Sequence, residues 1–162
     1  MAHGDSGGDS GGETADAGRA GTESGQRGSC LCGSVVYRVR GPLRAVIECH
    51  CTACRKTTGH YLAATQAWTD DFELERADGL RWYASGPHSR RGFCERCGAT
   101  LFFEFTGSGK ISIAAGTLDG KTGLETAFGI YADDKGDYYD LSDRLHFPAT
   151  DDGRAPLPPR EG

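Results

Sequence analysis

Gly92-Phe93-Cys94-Glu95-Arg96-Cys97-Gly98 runs almost directly into Thr100-Leu101-Phe102-Phe103-Glu104-Phe105. Two cysteines two residues apart and followed by glycine make a knuckle that offers two thiolates to one metal ion. The loop Thr106-Gly107-Ser108-Gly109 then leads to Lys110-Ile111-Ser112-Ile113-Ala114. Two β-rich runs around a Gly-Ser-Gly turn predict a hairpin. A metal knuckle feeding a hairpin implies a β domain stapled by metal, and the rest of the chain repeats that theme.

Upstream, Ser29-Cys30-Leu31-Cys32-Gly33-Ser34 carries a second close pair of thiols. Gly33 permits the tight turn that brings both to one ion, because glycine tolerates positive φ. Val35 to Arg40 alternates, placing Val35, Tyr37 and Val39 toward a core and Arg38 and Arg40 outward. Gly41-Pro42 ends that strand. Leu43–Glu48, Tyr61–Trp68, Phe72–Leu74, Leu80–Tyr83 and Ala127–Ala132 read as further short strands. Arg55 to Gly59 reads as one helical turn. Short strands with frequent turn signals and no sustained helical period predict an all-β domain of antiparallel sheets.

Cys49-His50-Cys51-Thr52-Ala53-Cys54-Arg55-Lys56 sits between these strands. With Cys30, Cys32, Cys94 and Cys97 assigned to one closed four-thiolate zinc site, Cys49, Cys51 and Cys54 remain. Three protein ligands and one open position are the pattern of a catalytic zinc. His50 lies between two proposed ligands, and neighbouring side chains diverge in an extended stretch, so it is expected to point away. A closed second site, with His50, His60 or His88 as fourth ligand, is the competing arrangement. A metal-free redox pair would need a βαβ context that the chain lacks.

Length and composition bound the rest. The chain has 162 residues and a formal charge of −5. Residues 1–27 are rich in Gly, Ser and Asp and are expected to be a disordered tail. Residues 148–162 hold four of the six prolines and read as a second disordered tail. The folded domain is expected over 28–147. There is no basic stripe, which argues against nucleic-acid binding. No apolar run reaches membrane-spanning length, and the N-terminus has no signal-peptide pattern. The expected location is cytoplasmic, where thiols stay reduced and seven cysteines serve metal better than disulfides.

Gly28 to Gly33, Cys49 to Gly59 and Arg91 to Gly98 together resemble the glutathione-dependent formaldehyde-activating enzyme family, whose domain centromere protein V shares. The resemblance covers about Gly28 to Phe147. It implies a zinc-held, Mss4-like fold of stacked sheets and two zinc ions. Cys30, Cys32, Cys94 and Cys97 match the structural ligands, and Cys49, Cys51 and Cys54 the catalytic ones. In the C-terminal part, Gly129-Ile130-Tyr131 stands where the family usually has a histidine. The implied activity is a carbon–sulfur lyase reaction joining a small glutathione-like thiol to a small aldehyde such as formaldehyde. Arg55 and Lys56 are candidates to bind thiol carboxylates, and Tyr61, Trp68, His60 and His88 to line a pocket. A non-catalytic, zinc-stabilised binding module and a redox or metal-handling protein are the alternatives. Sequence leaves the oligomeric state open.

Overall fold

The computed structural model describes residues 25–150 and 153–160. The expected N-terminal tail, up to residue 24, lies outside the described residues. The elements run β1 (Gln26–Ser29), β2 (Val35–Val39), β3 (Val46–Cys49), α1 (Thr52–Thr58), β4 (Leu62–Trp68), β5 (Phe72–Ala77), β6 (Leu80–Gly86), β7 (Ser89–Cys94), β8 (Thr100–Phe105), β9 (Lys110–Ala114) and β10 (Thr126–Ile130). They form a three-stranded sheet in the order β1-β2-β5 and a seven-stranded sheet in the order β10-β3-β4-β9-β8-β7-β6. The fold is mostly β, as the alternating patterns predict.

The apolar faces of the two sheets close on each other. Val35, Tyr37 and Val39 of β2 are fully buried, and Arg38 points out to an ion pair with Glu75. Across the gap stand Ala67, Leu101, Phe102, Ile111 and Ile113 from β4, β8 and β9, in the same core. Tyr37 packs edge-on to Phe102 at 5.1 Å between ring centroids and leans on Phe72 at 5.5 Å. Such aromatic pairs add to the area they bury.

Some expectations change. All but one of the strand pairings are antiparallel; β10 pairs parallel with β3, setting Ile130 beside Cys49. Two strands went unread. β1 is short and polar, and becomes a strand by pairing with β2. β7 carries Arg90, Arg91 and Gly92, poor strand formers in isolation, and is held between β6 and β8 on both edges. The C-terminal segment is no free tail where it is described. Leu157 is buried, Trp68 Nε1 donates to the Pro158 carbonyl at 2.9 Å, and Arg160 pairs with Asp70 and Asp71. Apolar and ionic anchors on 157–160 therefore offset the ordering cost that its prolines already reduce.

Candidate metal centres

The first centre joins the two sheets. Cys30 and Cys32 lie in the turn between β1 and β2, where the Cys30 amide donates to the Val35 carbonyl and the Gly33 amide to the Cys30 carbonyl. Gly33 has φ 73°, as its place in the turn requires. Cys94 ends β7, and the Gly98 amide donates back to the Cys94 carbonyl at 2.8 Å. Two hairpin turns from different sheets thus face each other. The four sulfurs lie within 4.8 Å of one another. Cys30 and Cys32 sulfurs are 3.6 Å apart, and Cys32 and Cys94 sulfurs 3.8 Å apart. A tetrahedral ion with Zn–S bonds of about 2.3 Å needs sulfur–sulfur edges of about 3.8 Å, so the donor set fits zinc. Burial pushes the Cys30 thiol up, yet the Val35 amide and the Ser34, Cys32 and Cys94 side chains outweigh it and bring it down to about 6. The Cys94 thiol is lowered too, whereas the Cys97 thiol is raised.

The second centre sits at the end of β3. Cys49 closes the strand and Cys51 caps α1, its sulfur accepting from the Cys54 amide at 3.4 Å. The helix turn returns Cys54 beneath them. Gly59, at φ 82°, stops the helix by donating to the Arg55 carbonyl. The sulfurs of Cys49, Cys51 and Cys54 lie within 4.8 Å of one another. Among the described residues no further His, Cys, Asp or Glu joins that group. Cys54 is buried, while Cys49 and Cys51 are half-buried. Hydrogen bonds from Cys49 and Cys54, with the Cys54 and Ala53 amides, hold the Cys51 thiol far below its usual value. The same contacts with Cys51 and Cys54, plus burial, push Cys49 far up. Crowded together, the sulfurs oppose one another's ionisation. A divalent cation removes that resistance, and the set of soft donors fits zinc.

Sequence reasoning missed the role of Arg91. The residue is 9% exposed, and its guanidinium points both terminal nitrogens at the Cys54 sulfur, each at 3.7 Å. It lies over the Phe103 ring at 4.9 Å. Three thiolates around one zinc would carry a net charge of −1, which the Arg91 guanidinium would offset. Alternation along β7 was the available signal: Arg90 faces out to Glu104 and Arg91 faces in. Tyr131 also belongs here. It adopts φ 57°, the one non-glycine residue with positive φ among those described. Burial raises its hydroxyl pKa first, and the charges of Cys49, Cys51 and Cys54 raise it further.

The other candidates divide. His50 turns away from the cysteines: it is 1% exposed, and its Nδ1 lies 2.7 Å from the Tyr139 hydroxyl. Burial, then the nearby His146, lowers its pKa and keeps it neutral. His60 and Tyr61 flank it, with centroids 4.5 Å apart. Trp68 and His88 lie elsewhere, Trp68 against the C-terminal segment and His88 in the β6–β7 turn. Arg55 is half-buried and Lys56 exposed beside the cluster. A shallow depression of about 340 Å³ borders α1, lined in part by Thr57, Thr58, Leu62 and Thr100.

Comparison with known proteins agrees with this geometry. An uncharacterised lyase of Schizosaccharomyces pombe is 29% identical over 132 residues, covering 77% of this chain and 91% of the yeast protein. A crystal structure of a Rhodobacter sphaeroides protein has the same fold, with a TM-score of 0.52 and 24% identity over 62% of this chain and 97% of that one. The family model for glutathione-dependent formaldehyde-activating enzymes matches residues 25–134, a span holding all seven cysteines. With both cysteine clusters inside that match, the chain belongs to the glutathione-dependent formaldehyde-activating enzyme family.

Proposed function

We propose that the chain is a zinc-dependent carbon–sulfur lyase that forms or cleaves the S-hydroxymethyl adduct of a small, glutathione-like thiol and a small aldehyde such as formaldehyde. The observation that carries the reading is the second cluster: three sulfurs in one group, with no fourth His, Cys, Asp or Glu among the described residues. Family membership and the lyase name of the yeast relative support the reaction class. Cys30, Cys32, Cys94 and Cys97 would hold a structural zinc, and Cys49, Cys51 and Cys54 a catalytic one.

The reaction balances without redox. The thiol sulfur bonds to the carbonyl carbon, the C=O π pair moves to oxygen, and the thiol proton ends on that oxygen. Zinc at the second cluster supplies positive charge that lowers the proton affinity of a substrate thiol. Arg91 would offset one negative charge, so a bound substrate thiolate would leave the site at −1 rather than −2. Tyr131, whose hydroxyl pKa is raised by burial and by the charges of Cys49, Cys51 and Cys54, would be the candidate proton donor to the developing alkoxide. Arg55 and Lys56 would bind thiol carboxylates through charge-assisted hydrogen bonds. Half-exposed Cys49 and Cys51 leave the substrate a path to the open position.

The test is Cys54→Ser. It removes one ligand of the second cluster and none of the first. Formaldehyde- and thiol-dependent turnover should be lost, with one zinc and the circular dichroism spectrum retained. Turnover that survives with the second zinc gone would refute the catalytic assignment. A native mass spectrum with added glutathione checks the open position: a glutathione adduct on the wild type, absent in Cys54→Ser, is expected.

A further inference from the structure

Glu48, on β3, and His50, just past its end, gather apart from the cluster of Cys49, Cys51 and Cys54. There they meet His146, from a segment that runs beside β10. Glu48 Oε2 is 3.6 Å from His146 Nε2 and 4.0 Å from His50 Nε2. The side chains are nearly enclosed, at 8%, 1% and 8% exposure for Glu48, His50 and His146. Both Nε2 atoms are buried and without a hydrogen-bond partner. They converge on one space: a Cβ placed on Gly129 would stand 2.8 Å from His146 Nε2 and 3.0 Å from His50 Nε2.

The hydrogen bonds at Nδ1 bear on where the lone pairs are. His146 Nδ1 lies 2.6 Å from the Arg144 carbonyl, which can only accept, so Nδ1 carries the hydrogen and Nε2 the lone pair. His50 Nδ1 is held 2.7 Å from the Tyr139 hydroxyl, a group that can accept from Nδ1–H; in that tautomer Nε2 keeps the lone pair a metal requires. A second partner on the far nitrogen is the usual way to orient a metal-bound imidazole. A shared proton is the competing occupant. It would make a charge-assisted bond of about 2.7–2.9 Å, shorter than the 3.6 Å seen here, and it could satisfy only one of the two nitrogens.

We propose that Glu48, His50 and His146 form a third metal site, separate from both cysteine clusters, which takes a divalent first-row transition ion through two imidazole nitrogens and a carboxylate oxygen. Metal–N and metal–O bonds of about 2.0–2.2 Å place such donors about 3.3–3.5 Å apart, so the edges from Glu48, now 3.6 and 4.0 Å, would shorten on binding, the longer by roughly half an ångström. Mixed nitrogen and oxygen donors suit zinc, iron or cobalt. Arg144 Nη1, 3.9 Å from the other carboxylate oxygen, Oε1, leaves Oε2 to the imidazoles. The ion would clip β3 to the 144–147 segment, which already exchanges two backbone hydrogen bonds with Gly129. It would also fix the backbone from which Cys49 and Cys51 project. The proposal does not depend on the lyase reading.

The test counts metal on the full-length protein, stripped and then reconstituted with cobalt or zinc at buffered free concentration. The wild type should take three ions per chain, and His146→Ala and Glu48→Gln two, with circular dichroism unchanged. With cobalt, the third equivalent should add ligand-field absorption without any increase in sulfur-to-cobalt charge transfer. Wild type saturating at two ions with both metals overturns the site, whatever the variants do. So does a third equivalent that raises the charge-transfer band, because that ion would be bound by sulfur.

Discussion

Arg91 illustrates how one side chain sets the properties of a metal centre. A guanidinium is always charged, so burying it is costly unless an anion meets it. Here the partner is the Cys54 sulfur, 3.7 Å from both terminal nitrogens, which becomes an anion when it ligates a metal. Arg91→Met should keep the packing on Phe103 and remove the charge. A hydrogen bond to a charged group contributes roughly 1.5–3 kcal/mol, and the long contact to sulfur belongs at the lower end. Zinc affinity at the second cluster should fall about tenfold, with the first cluster unaffected, as read by chelator competition in the presence of the Cys32→Ser change and without it. Equal affinity in Arg91→Met and wild type would remove Arg91 from the site. Alternation sets Arg90 and Arg91 on opposite faces but does not say which faces in; the pairing of β7 with β6 and β8 does. The cysteines, by contrast, were legible as two sets because their spacing is local. His50 was legible as diverging from its neighbours by alternation, but the partners it meets, Glu48 and His146, are not: His146 arrives from nearly a hundred residues away, beside Gly129.

At the scale of the element, β2 shows what alternation can and cannot tell. Val35, Tyr37 and Val39 face inward as the pattern requires, yet Val36 is buried as well, which alternation alone does not foresee. Tyr37 is the polar exception in this core. Its hydroxyl donates to Thr117 Oγ1 at 2.7 Å, and Thr117 in turn donates to the Ala114 carbonyl. Burial is the main reason its pKa stands far above the tyrosine value. Below about pH 10 the hydroxyl keeps its proton in both folded and unfolded chains. Above it the unfolded chain releases the proton and the folded chain does not, so stability falls as pH rises, by about 1.4 kcal/mol per pH unit from this group. Tyr37→Phe should cost about 1 kcal/mol near pH 8 through the lost hydrogen bond. That gap should narrow and then reverse as pH passes 10, because phenylalanine has no proton to lose. Urea melts of the two proteins at pH 8, 10 and 11 measure it, and parallel curves would mean that Tyr37 does not carry the alkaline loss.

Across the whole molecule the two cysteine clusters differ in reach. Cys32 and Cys94 are 62 residues apart and stand on different sheets. Their site exists only when both hairpin turns are formed and the sheets are stacked. Zinc binding there is therefore folding free energy. Cys49, Cys51 and Cys54 lie within six consecutive residues, and an unfolded chain can gather them around an ion with little loss of freedom. Binding to the unfolded chain cancels the stabilisation that binding to the folded one provides. The two clusters should thus separate in a single experiment, urea unfolding at two buffered free zinc concentrations above the folded-state dissociation constants. In the wild type, each tenfold rise in zinc should add about 1.4 kcal/mol through the long-range site. Cys54→Ser should keep that increment, since its remaining cluster is intact, whereas Cys32→Ser should lose most of it and unfold at lower urea. If Cys32→Ser responds to zinc as the wild type does, the ion does not hold the sheets together and the packing around Tyr37 and Phe102 alone does. If Cys54→Ser loses the response, the local cluster is the one that senses folding, and the helix α1 that carries Cys54 must form only with the rest of the domain.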